Sequence, residues 1–128
     1  MINLDYYCME HGQKLADICD EIDLRKSLGI LKEDGVYAMF LWLEYTCRDN
    51  MRTNSFLNFL LNFLNEDSIK PLFLNDDKYF RKPFDQFCKD LRDVAKDIDK
   101  VFLMKRLLER TLTYALYHRK IASKDGVS

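Results

Sequence analysis

Apolar and polar positions follow helical spacing through most of this chain. Leu4, Cys8, His11, Leu15, Ile18 and Ile22 recur at intervals of 4, 3, 4, 3 and 4, which holds them on one side of a helix. That seam predicts a first helix over residues 4–22, with His11 as a half-buried histidine on its packing face. A short helix or turn over 24–34 follows. It stops at Gly35, where Lys-Glu-Asp-Gly reads as a helix end with a glycine free to take a positive φ. Residues 36–47, VYAMFLWLEYTC, carry Glu44 as their only charge. A helix apolar almost all round belongs at the centre of a bundle, so Tyr37, Phe40 and Trp42 are expected in the core.

Thr53, Asn54 and Ser55 offer N-caps for a fourth helix over 56–65, with Asn58, Asn62 and Asn65 on one narrow polar edge. Residues 70–82 are the one long connection and read as a loop. Pro83 suits the first turn of a fifth helix, whose apolar face is Phe84, Phe87, Cys88, Leu91 and Ala95. Asp97 or Asp99 can cap a last helix over 101–124. With four Gly, two Pro and little Val in 128 residues, helix is favoured over sheet. The fold class is therefore all-α: a single compact bundle of five or six helices over 1–123, with a frayed tail over 124–128.

The last helix carries the most informative pattern. Arg106, Arg110, Thr113, Tyr117, Lys120 and Lys124 are spaced 4, 3, 4, 3 and 4 apart and share one side. Met104, Leu108, Thr111 and Ala115 take the other. Such a helix docks by its apolar face and turns four cations and a tyrosine outward. Cations in a row suit phosphates, and Tyr117 can stack on a base. The plain alternative is a solvated face of good helix formers.

Net charge is −1 overall, but its distribution is uneven. Residues 1–23 hold six acids and one Lys, and residues 100–128 hold seven Lys or Arg and two acids. Two arrangements satisfy this: the terminal helices pair within one molecule, or the acidic end of one copy meets the basic end of the next in head-to-tail self-association. Intramolecular pairing is the simpler. The N-terminus has early acids and no long apolar run, unlike a signal peptide. No stretch approaches the roughly 20 apolar residues that span a bilayer. A cytoplasmic protein without membrane association is expected.

Cys8, Cys19, Cys47 and Cys88 form no CxxC pair and read as buried thiols. Cys8 and His11 make half a metal site without a second half, so no metal or other cofactor is expected. Catalytic signatures are weak. GxGxxG, Walker A, GxSxG and HExxH are all missing from the sequence. Small helical ribonucleases of the HEPN kind use Arg, four residues, then His; the position before His118 that would need Arg is Thr113. Asp90, Asp93 and Asp97 alternate with Lys89, Arg92 and Lys96, the look of a solvated face rather than a metal box. No catalytic residue is assigned.

Two segments resemble a known family. Residues 30–43, ILKEDGVYAMFLWL, place Gly35 at a helix-ending turn and Ala38 and Phe40 in the apolar helix after it. Residues 109–122, ERTLTYALYHRKIA, present Leu112, Tyr114, Tyr117, Arg119, Lys120 and Ala122 in order. Both are similar to the small helical subunit of type III-B (Cmr) CRISPR effector complexes. The chain departs from that pattern at Val36, where the family has Leu, and at Tyr117, where Trp is usual. The small subunit of the type III-A (Csm) complex, a bundle of the same size, stands as the alternative. The resemblance covers about a third of the chain. It implies a non-catalytic subunit for antiviral defence that stacks beside a guide–target duplex, with other effector subunits and guide or target RNA as partners. Arg106, Arg110, Tyr117, Lys120 and Lys124 would then contact RNA, with Arg48 and Arg52 as further candidates. The other readings are a protein–protein adaptor of another system and a small helical hydrolase or ribonuclease using His11 or His118.

Overall fold

A computed structural model of the protein describes residues 3–75 and 77–124. Among these residues six α-helices follow in order: α1 (Leu4–Ile18), α2 (Glu21–Asp34), α3 (Val36–Asn50), α4 (Asn54–Leu64), α5 (Phe84–Val94) and α6 (Ile98–Lys124). A single 3-10 turn, Lys70–Leu72, lies in the long connection. Among the described residues there is no strand, and the protein is all-α. The tail beyond Lys124 lies outside the described residues.

The first expected helix is two. Cys19 takes an extended conformation, and Asp20 caps α2 by accepting a bond from the Asp23 amide at 2.8 Å. The apolar spacing ran through this corner by coincidence, for the packing face of α2 is Asp23, Leu24, Ser27, Leu28 and Leu31 and not the side that carries Ile22. The seam's last members are consequently not core: Ile18 is 47% and Ile22 72% exposed. Gly35 ends α2 and opens α3 at a φ of 98°, a conformation that glycine alone adopts without strain. Its amide reaches the carbonyls of Ile30 and Leu31.

α3 touches α2, α4, α5 and α6 through Val36, Met39, Phe40 and Leu43, all buried. It is not enclosed all round, however. Tyr37, Leu41 and Tyr45 recur every four residues along an outer side and are exposed, and Trp42 is half-buried. Of the aromatics expected in the core here, only Phe40 is fully there. Thr53 stands at the N-cap position of α4 without capping it. Its fully buried hydroxyl donates instead to the Leu43 carbonyl at 2.6 Å and meets the Thr46 hydroxyl at 2.7 Å, tying α4 back onto α3.

The terminal helices pair within the molecule. α1 makes its broadest interface with α6 and runs parallel to it. The Cys8 thiol donates to the Leu107 carbonyl, Gly12 lies against Thr111, Tyr114 and Ala115, and Ala16 and Asp17 border a depression shared with His118, Arg119 and Ala122. A Cβ on Gly12 would sit 2.8 Å from the Tyr114 Cβ and 3.1 Å from the Thr111 carbonyl oxygen. Glycine is therefore what lets the two backbones approach. Met104, Leu108, Thr111 and Ala115 are all buried, as the stripe pattern requires.

The connection 65–82 is held by polar clamps. The Asn65 side chain accepts from the Phe80 amide at 2.7 Å and donates to its carbonyl at 2.8 Å, as a neighbouring strand would. Arg81 grips Asp90 on α5, with its amide and its guanidinium both donating to the carboxylate. Asn58 and Asn62 on the same edge are exposed. On α5, Val94 rather than Ala95 completes the apolar face; Ala95 is exposed. Asp97 caps α6 by accepting from the Asp99 and Lys100 amides.

Candidate nucleic-acid interface

α6 is 27 residues long, about 40 Å at the usual helical rise. α1, α2 and α3 all pack against it, and one side of the helix stays largely open. Arg106, Arg110, Tyr117 and Lys124 are exposed there, with Thr113 and Lys120 half-buried. The sequence-derived stripe is thus a single surface of one helix.

Its cations differ in their surroundings. Arg106 is exposed and carries no ion pair among the described residues. Arg110 lies 3.3 Å from the Asp5 carboxylate of α1. That carboxylate also accepts a 2.6 Å bond from the Tyr114 hydroxyl, and the bond pushes the Tyr114 phenol above its ordinary value. The Lys120 ammonium sits 5.2 Å from the centre of the Tyr117 ring, a cation–π pairing that keeps both side chains at the surface. A shallow depression of about 320 Å³ opens beside the stripe, lined by Lys32, Arg106, Glu109, Arg110, Thr113 and Tyr114. Lys32 comes from α2, whose carbonyl at that residue accepts from Lys105.

Two side chains on this surface lay outside the sequence-derived set. Phe102 and Ile121 are 57% and 56% exposed. Phe102 precedes Arg106 by four residues and Ile121 follows Tyr117 by four, so the same spacing reaches both once α6 is known to begin at Ile98. Asp5 and Lys32 could not be found in that way, because they arrive from other helices.

Arg48 and Arg52 lie elsewhere, at and just beyond the C-terminal end of α3. Arg48 pairs with Glu44 at 2.8 Å. Arg52 binds Asp23 of α2 at 3.1 Å and its guanidinium carbon stands 5.8 Å from the centre of the Trp42 ring. Burial pushes the Asp23 carboxyl up and Asp20 adds to this, while Arg52 opposes both. This pair joins α2 to the α3–α4 corner.

The two histidines occupy contrasting places. His11 is buried, with Nδ1 2.8 Å from the Tyr7 carbonyl oxygen and its ring edge-on to Phe59 and Phe63; Nε2 lies 3.8 Å from Glu66. His118 is exposed. Among the described residues no three His, Cys, Asp or Glu side chains converge as metal ligands, and no helix is long and apolar enough to cross a membrane.

The fold defines a single all-α helical bundle with a long basic-faced helix. Comparison of the chain with models of known families, with curated proteins and with solved structures finds no match in any of the three.

Proposed function

We propose that the protein is a non-catalytic RNA-contacting subunit, with the open face of α6 as its contact surface. The observation that carries this reading is the placement of Arg106, Arg110, Lys120 and Lys124 along one exposed side, with Tyr117 exposed among them. Such a surface binds the phosphate backbone through charge and offers a ring for an unpaired base. The resemblance of residues 30–43 and 109–122 to the small subunit of type III CRISPR effectors supplies the setting: a helical assembly beside guide and target RNA in the cytoplasm, in antiviral defence.

The test is fluorescence anisotropy with single-stranded RNA at about 50 and 200 mM salt, a range over which counterion release is visible. Binding that weakens steeply with salt and is lost in Arg106→Glu/Arg110→Glu supports the reading. Binding that survives that double reversal removes α6 as the contact surface.

A second reading, a protein–protein adaptor, draws on Phe102 and Ile121, which add exposed apolar area to the same face. It expects a stable protein partner that Phe102→Ala/Ile121→Ala releases, and no salt-dependent RNA binding.

A further inference from the structure

Gly29 lies in the interior of α2 for no reason internal to the chain. Its backbone is not in the positive-φ region, and a Cβ there would have nothing within 4 Å. An exposed glycine inside a helix costs about 1 kcal/mol relative to alanine. At Gly12 a neighbouring helix accounts for the missing side chain. At Gly29 no neighbour is present.

The surroundings of Gly29 are self-complementary. It floors a groove of about 460 Å³ on the outer side of α2, lined by Ile22, Arg25, Lys26, Ile30, Glu33 and Asp34. Ile22 is 72% exposed. The basic pair lies three and four residues before the glycine, and the acidic pair four and five after it. A two-fold axis through Gly29, with a second α2 antiparallel to the first, sets Arg25 opposite Glu33 of the other copy. Lys26 then lies one position from the same carboxylate, and directly opposite Lys32 of the other copy. Each charge pair occurs twice, and the missing side chain lets the backbones close at the axis.

We propose that the outer face of α2 is an isologous docking surface for a second copy of this chain, crossing at Gly29. The occupant follows from the charges: under a two-fold the Arg25–Glu33 and Lys26–Glu33 approaches outnumber the one like-charge approach, Lys26 to Lys32, so the face attracts its own copy in an isologous contact. Arg25 already pairs with Glu21 in the same helix, so Lys26, exposed and three residues from Gly29, is the better handle. The face is one helix wide and smaller than a standard stable interface. Association is therefore weak, concentration-dependent and salt-sensitive. It is independent of the RNA-contacting reading, which uses α6.

Sedimentation equilibrium of the full chain over a concentration series tests this. The expected result is a mass rising toward twice that of the monomer and no further, with weaker association at high salt. Glu33→Lys sets like charges against each other across the axis and weakens association by at least about tenfold, and Lys26→Glu, which loses Glu33 but gains Lys32 as a partner, weakens it by less. The double variant Lys26→Glu/Glu33→Lys recovers it. Gly29→Leu, which has open space in the monomer, keeps the helical circular dichroism and abolishes association. A monomer at every concentration, a mass that climbs past the dimer, or a double reversal that stays as weak as the single ones overturns the proposal.

Discussion

The α1–α6 seam and the connection 65–82 are fastened to the same bundle by different physics. Along the seam, Cys8, Gly12, Leu15 and Ala16 meet Leu107, Thr111, Tyr114 and Ala115 with little polar chemistry. Its strength is shape, and the close approach at Gly12 has no slack. The connection has no periodic apolar face of its own. It buries Phe73 and Phe80 and keeps them in place with two clamps, Asn65 on Phe80 and Arg81 on Asp90. Packing of the first kind tolerates a lost hydrogen bond but not an added methyl. The second kind tolerates changes of volume but not the loss of one donor.

Adding bulk at Gly12 breaks the seam most severely. Gly12→Ala lowers stability by about 1–2 kcal/mol, because overpacking outweighs the gain in helix propensity. Gly12→Leu costs more, and both appear as a lower thermal midpoint by circular dichroism. An unchanged or raised midpoint in Gly12→Ala would mean that the helices are not this close. In the connection, Asn65→Ala strips the partners from the Phe80 amide and carbonyl and costs about 1–3 kcal/mol; Asn65→Asp, which keeps the acceptor and loses the donor, recovers part of it. Denaturant melts separate the three. Asp90→Asn keeps one acceptor oxygen for Arg81 and loses the other together with the charge, which breaks one side of the clamp and lowers the midpoint by less than Asn65→Ala does.

Much of this was legible from spacing, and the exceptions have physical causes. The stripe on α6 and the buried face behind it follow from 3.6-residue periodicity alone. The break after Ile18 did not, because Ile18 and Ile22 continue the apolar spacing by residue type although neither is buried; Asp20, spaced as an N-cap three residues before Asp23, was the signal for it. Gly12 was hidden beside the seam, although Cys8, Gly12 and Ala16 at four-residue intervals are small enough to mark a close crossing. Tyr37 and Trp42 read as core because a helix apolar almost all round is expected to be enclosed, whereas Tyr37 is exposed and Trp42 half-buried. Their exposure depends on where α4 and α5 stop covering α3. The clamps at Asn65 and Arg81 were invisible, since a hydrogen bond to a residue 9 or 15 positions away leaves no period. In the candidate interface the helix supplied its own residues, while Asp5 and Lys32 required the tertiary fold.

Two smaller effects sharpen the contrast at the seam's edge. Asp5→Asn removes a half-exposed ion pair with Arg110 and changes stability by less than about 1 kcal/mol. It frees Arg110, so RNA affinity in the anisotropy assay rises if α6 is the contact surface. Thiol chemistry probes the seam without mutation. Burial pushes the Cys19 thiol up to about 12 and raises Cys8 as well, while Cys88 is only half-buried. Iodoacetamide at neutral pH should label Cys88 first, with Cys8 and Cys19 modified only on unfolding. Early labelling of Cys8 by mass spectrometry would place the seam in an open state.

The parallel pairing of α1 with α6 also sets the timing of biosynthesis. Cys8 meets Leu107, and Asp5 meets Tyr114, so α1 finds its partner only after about a hundred further residues have been made. At ordinary elongation rates that is a wait of about 5 to 20 seconds. Through that interval the apolar side of α1 has no α6 to cover it, and a nascent chain stalled before α6 leaves the ribosome cannot complete the fold. The protein is therefore expected to depend on chaperones during synthesis more than its small size suggests.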